Sequence, residues 1–407
     1  MVLPYRHSGN LKPGIDMNQG HRIKTFCYTF EGLSSFATSV YSYYLYFYMR
    51  DQFGFDNKDN LAFAAFNGLV YTIAAWQGGK FAQRRGYFTA LKVGFILMTI
   101  AWTTGSLWHS APGLILMTGL LNVGMCFLWP TMEAMISEGG DAVTLPRAVG
   151  IYNLVWASTN AFALFIGGTL VETFGYKTIF YLPLALCVGQ LATTIWLEKY
   201  AVDSVDKGIP APLMPPDPHR PSPAKTRAFL RMAWLANPVA YIAIYTLIPE
   251  LPAVAATFHL SPMFAGFACS LWCFVRFGTF TALWLWTGWH YRFRWLAMAF
   301  ALLIVSFVSI LTVPSLIILI VAQIFFGWTI GLIYYSSLFY SMDAGDTKGE
   351  HGGIHEAAIG LGNCIGPATG AVTLQFLPGL VHGGAFAVTG LLLCGFGAML
   401  GIWKTAK

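Results

Sequence analysis

Between residues 314 and 341 the chain reads PSLIILIVAQIFFGWTIGLIYYSSLFYS, without one charged residue. An apolar run of this length can cross a bilayer as a helix, for which about 20 residues suffice. In hydrocarbon the backbone finds no water, so a crossing segment must satisfy its own polar groups. Comparable runs recur along nearly the whole sequence. They divide into twelve expected spans at 25–49, 60–80, 88–109, 113–137, 148–171, 177–198, 231–256, 262–287, 294–312, 314–341, 353–377 and 381–403. Short alternating segments of the kind that build a membrane β-barrel are not the pattern here. The expected class is an all-α polytopic membrane protein. Only 10% of residues are charged, against about 25% in soluble domains.

Lysine and arginine are distributed unevenly. Arg6, Lys12, Arg22 and Lys24 precede span 1, and Lys80, Arg84, Arg85 and Lys92 surround the connection between spans 2 and 3. Arg147, the basic residues from Lys199 to Arg231, Arg292, Arg294, Lys348, Lys404 and Lys407 fall on that same side, while Arg50, Lys58 and Lys177 fall on the other. The positive-inside rule then places both termini in the cytoplasm of a cell (inner) membrane. This asymmetry accounts for the net charge of +6 without a nucleic-acid partner. Residues 1–24 read as a polar cytoplasmic tail and not as a cleavable leader, and 404–407 as a short cytoplasmic tail. All seven cysteines fall in expected spans. Cys269 and Cys273 lie one helical turn apart with no further ligand placed to complete a metal site, so no metal and no cofactor is expected.

One long polar stretch interrupts the pattern. Residues 199–230 hold seven prolines between Pro210 and Pro223 and bury too little apolar surface to fold, which makes them a cytoplasmic linker. They separate a six-span unit at 25–198 from a second at 231–403. The halves carry traces of a repeat. GIYNLVWASTNAFALFIGG (150–168) lies over GIHEAAIGLGNCIGPATGA (353–371), matching Gly150, Ile151, Asn160 and Gly167 to Gly353, Ile354, Asn363 and Gly370. The same alignment sets Gly124 on Gly327. Duplicated halves of this kind imply a pseudo-two-fold axis along the membrane normal, with a site between them near mid-membrane.

In these features the chain resembles the major facilitator superfamily of secondary transporters. The most specific local signal is GGKFAQRRG (78–86), in which Gly79, Arg84 and Gly86 fit the family's cytoplasmic loop motif. Gln83 stands where the family usually carries an aspartate. An amide cannot form the ion pair that the resemblance assigns to that aspartate, so a cytoplasmic latch would fall to others, with Glu138 and Arg147 as candidates. Span 11 carries GLGNCIGPATG, whose small residues at Gly362, Gly366 and Gly370 permit close helix packing beside Pro367. The resemblance links a similar Gly-Pro pattern in span 5 to drug/proton antiport. TNAFALFIG in span 5 lacks it, which leans the reading toward uptake over efflux. The resemblance implies twelve helices in two pseudo-symmetric six-helix bundles, with spans 1, 4, 7 and 10 lining a cavity, aided by 2, 5, 8 and 11.

A charge at the bilayer centre costs roughly 2.5–3.5 kcal/mol or more, so intramembrane charges mark partners or a cavity. Glu31, Glu133, Arg276 and Glu356 lie in spans 1, 4, 8 and 11, which the resemblance assigns to the cavity. Arg276 sits amid LWCFVRFGTFTALWLW (271–286). Three roles stay open for it: a permanent ion pair with Glu31 or Glu133, a counter-charge for the cargo, or a pair broken in one conformation. Glu31, Ser35, Thr38 and Ser42 form a polar stripe on span 1, with Tyr41 close to that face. The aromatics of YSYYLYFYMR read as an interfacial belt. Trp129 and Glu133 share a face of span 4. Tyr241 and Tyr245 of span 7, Gln323 and Tyr334 of span 10, and the repeat-matched Asn160 and Asn363 complete the candidate binding set. Glu31 and Glu133 are candidate proton carriers. Gly79, Gln83, Arg84, Gly86, Glu138, Arg147, His355 and Glu356 are candidates for a cytoplasmic gate.

The expected function is secondary transport of a small polar, anionic organic solute by alternating access, with protons as a candidate coupling ion and the chain acting as a monomer in the lipid bilayer. Efflux of amphipathic compounds is the alternative within transport. A non-transporting membrane sensor or assembly factor is the alternative outside it. No set of residues points to an enzyme.

Overall fold

A computed structural model describes residues 17–108, 110–137, 144–202, 222–344, 348–380 and 382–406, all side chains of residues 23–75 included. The helices in order are α1 (Met17–Phe53), α2 (Asn57–Arg85), α3 (Tyr87–Leu107), α4 (Ala111–Ser137), α5 (Thr144–Phe174), α6 (Thr178–Val202), α7 (Pro223–Thr257), α8 (Pro262–Cys269), α9 (Leu271–Leu285), α10 (Phe293–Thr312), α11 (Leu316–Ala344), α12 (Lys348–Phe376) and α13 (Gly383–Thr405). The eighth span is α8 and α9 together, interrupted at Ser270, whose N–H closes the first helix on the Gly266 carbonyl.

Local chemistry fixes the ends. Asp56 and Asp59 form a reciprocal capping box at the start of α2. Ser222 caps α7 with Pro223 in its first turn, so this helix begins inside the stretch read as linker. Gly86 joins α2 directly to α3 at φ 91°, a left-handed conformation that favours glycine, which gives the second glycine of the loop motif a physical reason.

Among the described residues, ten of the spans are long and apolar enough to cross a membrane on length and composition alone; α1 and α2 are not among them. For α1 the reason is its burial. From Phe30 to Met49 nearly every residue is shielded by the rest of the chain, the serines and threonines included. A helix that meets protein on all sides can carry tyrosines and hydroxyls that lipid would not accept.

The neighbours of each helix repeat between the halves. In the first half α3 packs on α4, α2 on α4, α1 on α5 and α6, and α3 on α6. In the second, α10 packs on α11, α9 on α11, α7 on α12 and α13, and α10 on α13. Each second-half pair is the first-half pair moved on by six spans. Across the halves α2 packs on α12 and α5 on α8 and α9, again related by the two-fold, while α1 meets α7 near the axis. The glycines of span 11 serve this packing. A Cβ on Gly362 would fall 2.5 Å from the Pro238 carbonyl oxygen, and one on Gly366 2.5 Å from that of Ile242, so α12 lies directly on the α7 backbone. Away from the axis, α3 and α6 are tied by Lys92 Nζ and Glu198, 2.7 Å apart.

Candidate functional site

A cavity of about 200 Å³ lies between the halves. Its walls come from spans 1, 2, 4, 5, 7, 8, 10 and 11, and no lining residue comes from α3, α6, α10 or α13. Of the expected binding set it brings together Glu31, Ser35, Thr38 and Tyr41 from α1, Trp129 from α4, Asn160 from α5, Tyr241 and Tyr245 from α7, Arg276 from α9, Tyr334 from α11 and Asn363 from α12. Gln323 does not join them. Its Nε2 donates to the Ala268 carbonyl at 2.8 Å, which fastens α11 to α8 inside the second half.

Arg276 is 4% exposed and, among the described residues, carries the only guanidinium or ammonium group on the cavity wall. It is not paired with Glu31 or Glu133, and no other described acid forms an ion pair with it. Its Nη2 donates to Asn160 Oδ1 at 2.6 Å instead. The guanidinium carbon lies 4.6 Å from the Trp156 ring centroid and 4.9 Å from that of Trp272. Cation–π contact with two indoles replaces part of the lost hydration. Nε is buried with no hydrogen-bond partner. Asn160 is itself held, with Tyr43 donating to the same Oδ1 at 3.0 Å and Nδ2 donating to Ser39 Oγ at 2.7 Å.

The carboxylates sit elsewhere. Glu31, 1% exposed, accepts from Ser35 at 2.6 Å, Trp129 at 3.3 Å and Tyr152 at 2.6 Å. Tyr152 and Asn160 lie on α5, eight residue steps apart, which rise about 12 Å at 1.5 Å each. Glu31 is therefore displaced from Arg276 toward the side on which α1 begins. Glu356, expected at a gate, lines the cavity and accepts from Tyr71 at 2.5 Å, which links α12 to α2 across the halves. Glu133 completes the acidic part of the wall. The cavity thus holds a lone guanidinium near its middle and three carboxylic groups toward one end.

The tyrosines of span 1 are not an interfacial belt. Tyr41 bonds Thr118 at 2.7 Å, Tyr43 bonds Asn160, and Tyr44 donates to the Leu164 carbonyl at 2.5 Å. All are buried, because α1 is enclosed. At the opposite end from the termini the halves are tied by Arg50 Nη1 to the Pro252 carbonyl at 2.8 Å, by Asn57 Nδ2 to Glu250 Oε2 at 3.0 Å, and by the Met263 N–H to Glu172 Oε1 at 2.8 Å. Of the expected gate residues, Gln83, Arg84 and Arg147 are exposed, and Gly79 and Gly86 are half-buried at the end of α2. Glu138 and the side chain of His355 lie outside the described residues.

Sequence reasoning missed several of these groups. Tyr152 and Trp156 precede Asn160 by steps of four, so the three share one face of α5, a signal available beforehand. Glu250, 8% exposed in span 7, also went unread; its partner Asn57 belongs to the other half, and no local pattern connects them.

The sequence model described as Major Facilitator Superfamily matches residues 27–367. The chain belongs to the major facilitator superfamily. As a member it is a transporter and not an enzyme, a multi-pass integral membrane protein that acts on small molecules. Solved structures agree on the fold. One from a study of substrate recognition in proton-dependent oligopeptide transporters matches with TM-score 0.69 at 14% identity, covering 95% of this chain and 100% of the other. The human organic anion transporter MFSD10 matches with TM-score 0.64 at 13% identity, covering 93% and 99%. A bacterial homologue of the human lysosomal transporter Spinster, inward-facing and unoccupied, matches with TM-score 0.65 at 12% identity, covering 96% of each chain. At these identities the likeness speaks for the fold alone. No curated protein matches the sequence.

Proposed function

We propose that this superfamily member moves a small polar, anionic organic solute by alternating access, with Arg276 as its counter-charge. The observation that carries the reading is the guanidinium itself. It is buried on the cavity wall, held by an amide and two indoles, and left with no acid of its own among the described residues. A buried cation without an acidic partner is costly. A carboxylate or phosphate entering the cavity would meet a planar donor fork already oriented by Asn160 and Trp156. Rocking of the halves would expose this site to each side in turn, provided that the solute binds the two conformations differently. The ties at Pro252, Glu250 and Glu172 close one end, and their release would be part of that cycle.

Proton coupling through Glu31 or Glu133 forms a second layer of the reading. It rests on the placement of both groups in the cavity apart from Arg276, where a proton and an anion could be held together. Reconstituted protein should accumulate a labelled organic anion, and Arg276→Ala should abolish accumulation while the protein stays folded. Normal transport by Arg276→Ala refutes the counter-charge role.

A further inference from the structure

The internal two-fold relates Asn160 of α5 to Asn363 of α12, and the two asparagines are not equally satisfied. Asn160 faces α9, where its carbonyl oxygen accepts from Arg276 and Tyr43. Asn363 faces α2 instead. Its side chain is 3% exposed, it lines the cavity, and its Oδ1 has no donor. The reason is on the opposing helix. Where α9 brings a guanidinium to Asn160, α2 brings Gly68, which packs so closely that a Cβ there would lie 2.3 Å from the Asn363 backbone carbon. The second half therefore presents the acceptor but lacks the cation. Glu356 lies seven residues before Asn363 on the same face of α12, also on the cavity wall, and only its Oε2 is engaged by Tyr71.

The geometry points to a donor subsite at Asn363 and Glu356 that takes a protonated amine of the cargo, which makes the transported solute dipolar: an anionic group at Arg276 and an ammonium group on the α12 wall. The ammonium fills on Asn363 the place that Arg276 fills on Asn160, and the Glu356 carboxyl on the same wall favours a cation over a neutral hydroxyl. The inference rests on the Arg276 reading above and deepens it. An acid lacking the amine satisfies one half of the site and leaves the Asn363 oxygen buried and bare, a penalty that discriminates strongly between substrates.

Binding of ω-amino carboxylates from glycine to 6-aminohexanoate tests this, each beside the matched carboxylate that lacks the amine, by thermal shift on the full-length protein. At least one dipolar member should bind about tenfold or more tightly than its matched acid, the usual size of one hydrogen bond to a charged group. Asn363→Leu and, independently, Glu356→Gln should abolish the preference, so that the dipolar member binds no more tightly than its matched acid. Arg276→Ala should weaken both compounds. Equal binding of a dipolar member and its acid in the wild type, with both lost in Arg276→Ala, overturns the amine subsite and leaves the anion reading standing. A dipolar preference untouched by both α12 variants overturns the location. Failure of every compound to bind, or binding indifferent to Arg276→Ala, overturns the anion reading and this inference with it.

Discussion

The seam between α2 and α12 brings the two halves into backbone contact, and one methyl group measures it. An ideal Cβ on Gly68 would lie 2.3 Å from the Asn363 carbonyl carbon, 2.4 Å from the Cys364 nitrogen and 2.5 Å from the Asn363 oxygen. All three are backbone atoms, so no rotamer can make room. Carbon atoms attract best at roughly 3.5–4.0 Å, and Gly68→Ala must therefore push α2 and α12 apart by about 1 Å. Overpacking of this kind costs roughly 1–3 kcal/mol. The matched control is Gly397→Ala in α13, where a Cβ meets nothing within 4 Å. There the same substitution gains the helix preference of alanine over glycine, up to about 1 kcal/mol. Thermal unfolding in one detergent should thus lower the apparent melting temperature for Gly68→Ala and hold or raise it for Gly397→Ala. Equal melting temperatures for the two variants would refute the claim that the halves touch backbone to backbone at this level.

Other perturbations separate structural from transport roles. Tyr152→Phe removes one of three donors to Glu31 and should cost about 1 kcal/mol of stability, the net worth of a typical buried hydrogen bond; a wild-type unfolding curve would contradict the assignment. Lys92→Met breaks an ion pair whose side chains are 29% exposed on each side. It should cost no more than about 1 kcal/mol and leave uptake unchanged, and a loss of uptake would show that the pair does more than join α3 to α6. Asn57→Ala frees Glu250 and should speed thiol labelling of a cysteine placed at Ile248 from the side opposite the termini; unchanged labelling would remove that tie from the closing contacts. Uptake measured with and without an imposed pH gradient decides the proton layer, which is wrong if the two rates agree.

The architecture was legible because lipid enforces it. Apolar runs, charge asymmetry and a faint repeat are direct consequences of crossing a bilayer twelve times in two related halves. The repeat even named Asn160 and Asn363, the pair on which the asymmetry of the site turns. The partners of Arg276 were not legible. Reasoning from charge searched for Glu31 and Glu133, since these are the opposite charges visible in the spans. The chain instead satisfies the guanidinium with an amide and two indole faces, Asn160, Trp156 and Trp272, which carry no sign in a charge count. The tyrosines of span 1 were read as a belt for a similar reason: composition places them near an interface, but only packing reveals that α1 is enclosed. Glu250 depends on Asn57 across the halves, a contact with no local signature.

The central claim is that Arg276 holds the anionic group of the cargo. Counterflow in proteoliposomes tests it most directly, using a labelled carboxylate that the wild type exchanges and comparing Arg276→Lys and Arg276→Ala. Lysine keeps the charge but loses the planar fork and its stacking on Trp156. A loss of one charge-assisted hydrogen bond, about 1.5–3 kcal/mol, corresponds to roughly 10–100-fold in affinity. The account predicts exchange by Arg276→Lys with KM raised by about that factor, and none by Arg276→Ala. Exchange by Arg276→Ala at the wild-type rate and KM would contradict it.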